Sequence, residues 1–323
     1  MSTAVASGAD VTPVPKQSVE SIVAARLGVD REAFVSTEID DADLASLLKA
    51  LQERYGSSIK AVLLYGSYTR GARDSLVDLY VLLDGYPAVL PGWQVLANKI
   101  LPPNVYQLEA ETGVRCKYAL MPLRQFARRL DRDFHSYFWA RFAQPCQLLY
   151  ASDGVTAKTL VTALAAGVRR FLRETSVAPG MDAARIAADS KAAFVEGLRL
   201  TYGCELRAES QFRAGELVAS NAEYFEALGE AWSDEQLAEQ LASPDTLLFG
   251  SARWPLRSAL GKFLSIARLV KAAATFNDGF EYLLWKIERH SGIYIEPTAL
   301  QRKLPLMFGW PLFWRLYRLG AFK

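Results

Sequence analysis

Few residues in this chain are suited to a soft metal or a disulfide. Three cysteines, Cys116, Cys146 and Cys204, stand far apart without a Cys-x-x-Cys pair. That argues against a disulfide framework and against a zinc site. They read as buried free thiols in a reducing compartment. Two histidines, His135 and His290, are too few for an imidazole cage. No run reaches the roughly 18–20 uninterrupted apolar residues of a spanning helix, so the chain reads as soluble or peripheral. The opening "MSTAVASGADVTPVPKQS" lacks a long apolar core and carries one basic residue, Lys16. It reads as a flexible tail, neither a secretory signal nor an organelle presequence. One-sided charge is lacking too: 37 Lys and Arg against 35 Asp and Glu give a net +2. That excludes a general nucleic-acid binder, and no nucleic-acid partner is expected.

What is present is an ordinary folded composition, with 51% hydrophobic and 22% charged residues. A length of 323 residues suggests two domains, or one large domain with additions. Residues 19–29 read as a short helix capped by Ser18. Residues 41–55 place Leu44, Leu47, Leu48 and Leu51 at helical spacing, with Gly56 as the stop. "IKAVLLYG" and "LVDLYVLLD" read as strands, as do "VYQLEAE" and "VRCKYALM" on either side of Gly113. From about residue 123 the pattern becomes helical, through "LRQFARRLDRDFHSYFWARFA", "MDAARIAADSKAAFVEGLRLTYGCELR", "SALGKFLSIARLVKAAATF" and "GFEYLLWKIERHSG". His290, near the end of the last of these, reads as a cation at a helix C-terminus. Breaks are expected at 174–182, with Pro179-Gly180, and at 243–247. The fold class is therefore α/β (α+β): a mixed sheet with helices, followed by a mainly helical part.

The stretch "LLYGSYTRGARDSLVDLYVLLD" (63–84) carries the chemistry. Gly66 allows a close turn and Ser67 adds a hydroxyl and a backbone N–H. Ten residues later Asp78 interrupts an apolar strand as a hard oxygen ligand. Nucleotidyl transfer needs such a pair: donors that hold a triphosphate and a carboxylate that holds Mg²⁺. An ordinary turn and an ordinary strand carboxylate are the competing reading. Arg70 and Arg73 read equally as phosphate-screening cations or as solvated turn residues. Glu109 and Glu111 read as a solvated strand face or as a further metal ligand.

Tyr65-Gly66-Ser67, the ten-residue gap and Asp78-Leu79-Tyr80 resemble the nucleotidyltransferase superfamily. The usual second acid is replaced by Tyr80. Within that superfamily the chain is similar to the mitochondrial-type phosphatidate cytidylyltransferases, the CDP-diacylglycerol synthases first described as translocator assembly and maintenance proteins. The similarity runs in order through "YGS", "VDLYVLL", "LPPNVYQL", "VRCKYALM", "SYFWARFAQPCQLLY", "LRLTYGCELRAE" and "SIARLVKAAATF". Ala140, Gln144 and Ala272 depart from the family pattern.

The resemblance implies an Mg²⁺-dependent reaction of CTP with phosphatidate at an anionic membrane, giving CDP-diacylglycerol and pyrophosphate. Asp78 would ligate the metal, with Ser67, Lys117 and Lys271 as further catalytic groups. Tyr65, Gly66, Ser67, Arg70, Asn104, Tyr106 and Arg141 would bind the nucleotide. With the pattern change near residue 123 and the break at 243–247, the expected division is residues 1–29 (flexible tail and short helix), 30–124 (nucleotidyltransferase-like domain), 125–245 (helical middle domain) and 246–323 (C-terminal helical region with a terminal amphipathic membrane-binding helix). A cytoplasmic protein, peripheral on the inner face of a membrane, is expected. The missing acid leaves two alternatives open: a non-catalytic nucleotide- or lipid-binding scaffold, and a nucleotidyltransferase with a soluble acceptor.

The final stretch "QRKLPLMFGWPLFWRLYRLGAFK" has no acid and carries Arg302, Lys303, Arg315, Arg318 and Lys323. Trp310, Phe313, Trp314 and Tyr317 fall on one helical face, with Pro311 in the first turn. This reads as an interfacial helix for anionic lipid, or as a helix docked on the core or on a second copy.

Overall fold

The computed structural model describes residues 17–29, 39–73, 76–87, 89–90, 92–205, 212–240, 252–275, 284, 287–288, 291–303 and 310–319. The helix α1 (Val19–Leu27) begins at Ser18, which exchanges a capping box with Ser21, and ends at the left-handed Gly28. The helix α2 (Ala42–Tyr55) begins where the Asp41 carboxylate accepts from the Asp43 and Leu44 N–H groups. Leu44, Leu47 and Leu51 form its buried stripe.

Five strands follow: β1 (Ile59–Tyr65), β2 (Val77–Leu83), β3 (Asn104–Glu109), β4 (Arg115–Pro122) and β5 (Gln147–Ala151). They form one mixed sheet in the order β3-β4-β2-β1-β5. The β2–β4 pair is parallel and the other three pairs are antiparallel. Strands β1 and β2 are almost continuously apolar because both faces of the sheet are covered. Leu44, Leu47 and Leu51 of α2 pack with Val62, Leu64, Leu79 and Val81 on one face. On the other, Leu63, Tyr80, Leu82, Ala119 and Met121 pack with a thick helical layer.

The helix α3 (Gly92–Ile100), which the sequence pattern did not reveal, precedes β3. The helical layer continues with α4 (Leu123–Arg132), α5 (Trp139–Phe142), α6 (Gly154–Ser176), α7 (Ala183–Ala188) and α8 (Ser190–Tyr202). Then come α9 (Phe212–Ala219), α10 (Ala222–Gln240), α11 (Arg253–Thr275), α12 (Ala299–Lys303) and α13 (Trp310–Arg318).

Two readings of the helical part change. "LRQFARRLDRDFHSYFWARFA" divides into α4 and the single turn α5, and beyond Pro145 the chain forms the edge strand β5, with Leu148 and Leu149 buried on the two sheet faces. The sheet thus extends past residue 124, and one core joins α1, the sheet and the helices through Trp254. "MDAARIAADSKAAFVEGLRLTY" breaks into two helices at Asp189, whose carboxylate caps the second. The expected break at 243–247 and most of the helix expected before Gly292, including His290, lie outside the described residues.

One buried ion cluster ties the helices together. Glu174 of α6 has no solvent exposure and receives Arg170 at 2.9 Å, with Arg253 and Arg257 of α11 bonded to both its oxygens. Burial raises its pKa, but the Arg253, Arg257 and Arg170 charges outweigh this and hold it below the ordinary glutamate value. The Arg257 guanidinium also lies over the Phe134, Trp139 and Trp254 rings.

Candidate functional site

The β1–β2 pairing puts Tyr65 directly opposite Asp78. Gly66 then leaves the strand at φ 85°, ψ −155°, a region essentially reserved for glycine. The reason is visible one strand away: a Cβ on Gly66 would stand 2.8 Å from Asp78 Oδ2 and 3.3 Å from Asp78 Cβ. The turn and the carboxylate are therefore packed against each other. Ser67 opens a short 3-10 turn, Ser67–Arg70, and is half-buried. The Gly66 carbonyl accepts from Thr69 Oγ1 at 2.7 Å and from Arg70 Nη1 at 3.2 Å, so Arg70 folds back over the turn. Arg73 is engaged elsewhere, 3.4 Å from Asp41 and against the Tyr68 ring.

The parallel β2–β4 register sets Lys117 beside Asp78. Lys117 Nζ lies 3.0 Å from Asp78 Oδ1, yet no hydrogen bond of ordinary geometry joins them, and that buried oxygen is otherwise unsatisfied. Mg²⁺ commonly takes one or two carboxylates and completes its shell with phosphate and water oxygens. Asp78 Oδ1 fits the role of one such ligand. Among the described residues no group of three or more acids, histidines or cysteines could hold a metal by itself. Glu111 is drawn to Lys49 of α2 at 3.4 Å, and Glu109 lies exposed on the edge strand opposite Arg115.

Position 80, where a second acid would stand, is fully buried. The Tyr80 ring meets Phe142 at 4.8 Å and Tyr65 at 5.3 Å. Burial pushes its hydroxyl well above the ordinary tyrosine value, with Tyr137 adding to this and Arg141 opposing it. Tyr80 is therefore a neutral phenol and no substitute for a carboxylate. Its hydroxyl receives Arg141 Nη1 at 3.4 Å.

Arg141, from α5, is brought to the same side of the sheet. Its guanidinium lies 5.8 Å from the Tyr65 ring centre and 4.3 Å from that of Tyr137, and Glu205 is 3.8 Å away. Asp78, Lys117, Gly66, Ser67, Tyr65, Arg70 and Arg141 thus gather around one end of β1, β2 and β4. Sequence reasoning missed Tyr137 and Arg268 of α11, whose guanidinium lies 3.9 Å from the Tyr137 ring centre. The signal available was weak: Arg268 stands one helical turn before Lys271.

Three expected residues do not join this group. Asn104 pairs with Leu120 and Tyr106 with Tyr118, so both lie on the α2 face, opposite to Asp78 and Lys117. Asn104 Nδ2 donates to the Tyr106 hydroxyl at 2.9 Å, and the Tyr106 ring stacks on Tyr118. Lys271 donates to Asn98 Oδ1, the Leu101 carbonyl and the Pro103 carbonyl, at 2.8, 2.6 and 2.8 Å. Asn104 is level with Leu120, three residues along β4 from Lys117, so the preceding Pro103 lies roughly 10 Å or more of strand from Lys117. Lys271 therefore pins α11 to the α3–β3 connection. Burial, with the Arg268 charge, brings its pKa down to about 7.

No described helix is long and apolar enough to cross a membrane. On α13, Leu312 and Leu316 are buried, while Trp314 and Tyr317 are 64% and 63% exposed and stack on each other at 5.8 Å. Arg315 and Arg318 are exposed beside them. The side chains of Trp310 and Phe313 lie outside the described residues. The chain matches no protein-family model and no curated protein sequence.

Proposed function

We propose that the chain is a CTP:phosphatidate cytidylyltransferase working at a membrane surface. The observation that carries the reading is the contact between the glycine-only turn at Gly66 and the carboxylate of Asp78, with Lys117 and Arg141 on the same face. Backbone, carboxylate and cations then converge where a triphosphate would lie. The choice of CTP and phosphatidate comes from the family resemblance.

In the reaction a phosphatidate oxygen forms a bond to the α-phosphorus of CTP. The bond from that phosphorus to the α–β bridging oxygen breaks, and pyrophosphate leaves with the electron pair. The acceptor is already an anion, so no strong general base is needed, and catalysis is positioning plus charge neutralisation. Bound Mg²⁺ would supply charge neutralisation on the phosphates, held in part by Asp78. Lys117 spans Asp78 and the nucleotide phosphates. Arg70 approaches the nucleotide phosphates from the turn, and Arg141 stands beside them on α5. Trp314, Tyr317, Arg315 and Arg318 of α13 place the site on anionic lipid as a peripheral anchor.

The test is pyrophosphate release from CTP with phosphatidate liposomes and Mg²⁺, wild type beside Asp78→Asn. Lipid-dependent turnover that drops at least 100-fold in Asp78→Asn is expected. Turnover that needs no lipid would instead indicate a soluble acceptor. One observation favours a non-catalytic scaffold: Lys117 already stands 3.0 Å from the lone carboxylate, and position 80 holds a neutral phenol. Folded wild-type protein without pyrophosphate release under any lipid condition would establish that alternative.

A further inference from the structure

Two cations lean on one ring beside the candidate site. The Arg268 and Arg141 guanidinium carbons are 3.9 and 4.3 Å from the centre of the half-buried Tyr137 ring. Three separate elements meet there: α11, α5 and the segment before it. Arg268 spends only its Nε on the protein, donating to the Pro102 carbonyl at 3.2 Å. Among the described residues its two terminal nitrogens make no hydrogen bond. The carboxylate facing the pair is Glu205, which stands 3.8 Å from Arg141. Two partly desolvated guanidiniums facing this one acid leave a net positive charge. Burial of Tyr137 raises its hydroxyl pKa, but Arg141 and Arg268 together outweigh this and bring it below the ordinary tyrosine value.

The location defines the ligand. Tyr137 and Arg141 adjoin Tyr65 and Tyr80, and Tyr65 is the direct strand partner of Asp78. An anion held here lies next to the reacting end of a nucleotide held at Gly66–Asp78. Lys117 and Arg70 serve the nucleotide side. Arg268 belongs to neither the turn nor the sheet and comes from α11 of the helical layer.

We infer that Arg268 and Arg141, positioned by the Tyr137 ring, clamp the phosphomonoester dianion of the acceptor; this assignment rests on the transferase reading above. A forked pair of guanidiniums suits the three terminal oxygens of a phosphomonoester and discriminates against a phosphodiester, which has one charge fewer. The clamp therefore selects acceptors that end in phosphate over those that end in a hydroxyl or a diester.

The test is calorimetric titration of the full chain with dihexanoyl phosphatidate, dihexanoyl phosphatidylmethanol and, separately, CTP with Mg²⁺. Wild type is expected to bind the phosphatidate at least tenfold more tightly than the phosphodiester. Arg268→Gln should weaken phosphatidate binding about 10- to 100-fold and leave CTP binding within twofold. Arg268→Lys should recover part of the loss. Equal binding of the two lipids, unchanged phosphatidate affinity in Arg268→Gln, or an equal loss for CTP would overturn the clamp. A measurement on wild type alone guards against a misfolded variant: the ³¹P shift of bound phosphatidate across pH 5–8. The clamp requires the bound phosphate to stay dianionic to lower pH than the free lipid, and an unshifted titration sinks it. Phosphatidate binding through Arg268 without pyrophosphate release from CTP would refute the transferase reading and leave the clamp standing.

Discussion

Replacing Gly66 by alanine tests the close approach on which the candidate site is built. The backbone there is at φ 85°, ψ −155°, where a non-glycine residue costs about 1–3 kcal/mol. The new Cβ would also stand 2.8 Å from Asp78 Oδ2 and 3.3 Å from Asp78 Cβ. Asp78 is short and sits in a central strand, so relief requires backbone movement, at about 1–3 kcal/mol for overpacking. The sum is roughly 2–6 kcal/mol. Gly71 is the internal control: its φ is 86° and ψ 5°, but nothing lies within 4 Å of a Cβ built there. Gly71→Ala should cost only about 1–2 kcal/mol.

Urea unfolding followed by tryptophan fluorescence separates the two. With a slope of about 2 kcal/mol per molar, the midpoint falls by about 1–3 M for Gly66→Ala and by about 0.5–1 M for Gly71→Ala. A cycle with Asp78→Ala adds a second reading. Removing the carboxylate relieves the Oδ2 contact and leaves the Cβ contact, so the two changes should be non-additive by about 1 kcal/mol. If Gly66→Ala loses no more than Gly71→Ala and the cycle is additive, the packed turn and carboxylate are refuted.

Other outcomes follow from the same structure. Lys271→Met strands three buried acceptors, Asn98 Oδ1 and the Leu101 and Pro103 carbonyls, and should lower stability by roughly 3 kcal/mol. With the folded pKa of Lys271 near 7, the unfolded chain holds a proton that the folded one has lost between about pH 7 and 10.4. Wild-type stability should therefore rise with pH across that window relative to Lys271→Met, in urea midpoints taken from pH 6.5 to 10; parallel curves would contradict the burial argument. Glu174→Gln leaves Arg170, Arg253 and Arg257 without their shared carboxylate and should cost about 3–5 kcal/mol. Because the folded Glu174 pKa lies below its unfolded value, its stabilisation is present above the unfolded value and disappears as pH falls through the folded one. The Gln variant should lose that part of the acid-side slope. Trp314→Ala with Tyr317→Ala should weaken sedimentation with anionic vesicles about 100-fold without moving the thermal midpoint, whereas Leu316→Ala, with its side chain buried, should move the midpoint.

Local signals carried the first half of the fold. Ser18, the leucines of α2, Gly56 and the apolar runs of β1 and β2 are each read within a dozen residues, and each stands where the pattern put it. The helix α3 escaped because its nine residues are bracketed closely by Pro87, Pro91, Pro102 and Pro103. The strand β5 escaped because its five residues follow a helical pattern and become a strand only by pairing with β1.

At the site, the spacing of Gly66 and Asp78 was legible because a turn between two adjacent antiparallel strands returns the chain to itself. The sequence by itself determined that turn, its carboxylate and the amphipathic end of the chain. Only tertiary structure decided the rest. Pairing parity sent Asn104 and Tyr106 to the far face of the sheet, since one step along a strand reverses a side chain. Helix packing drew both Lys271 and Arg268, one turn apart, to the α3–β3 connection, at the Pro103 and Pro102 carbonyls, and laid Arg268 on the Tyr137 ring. Side chains separated by more than a hundred residues meet through the packing of whole elements, and no local period encodes that meeting.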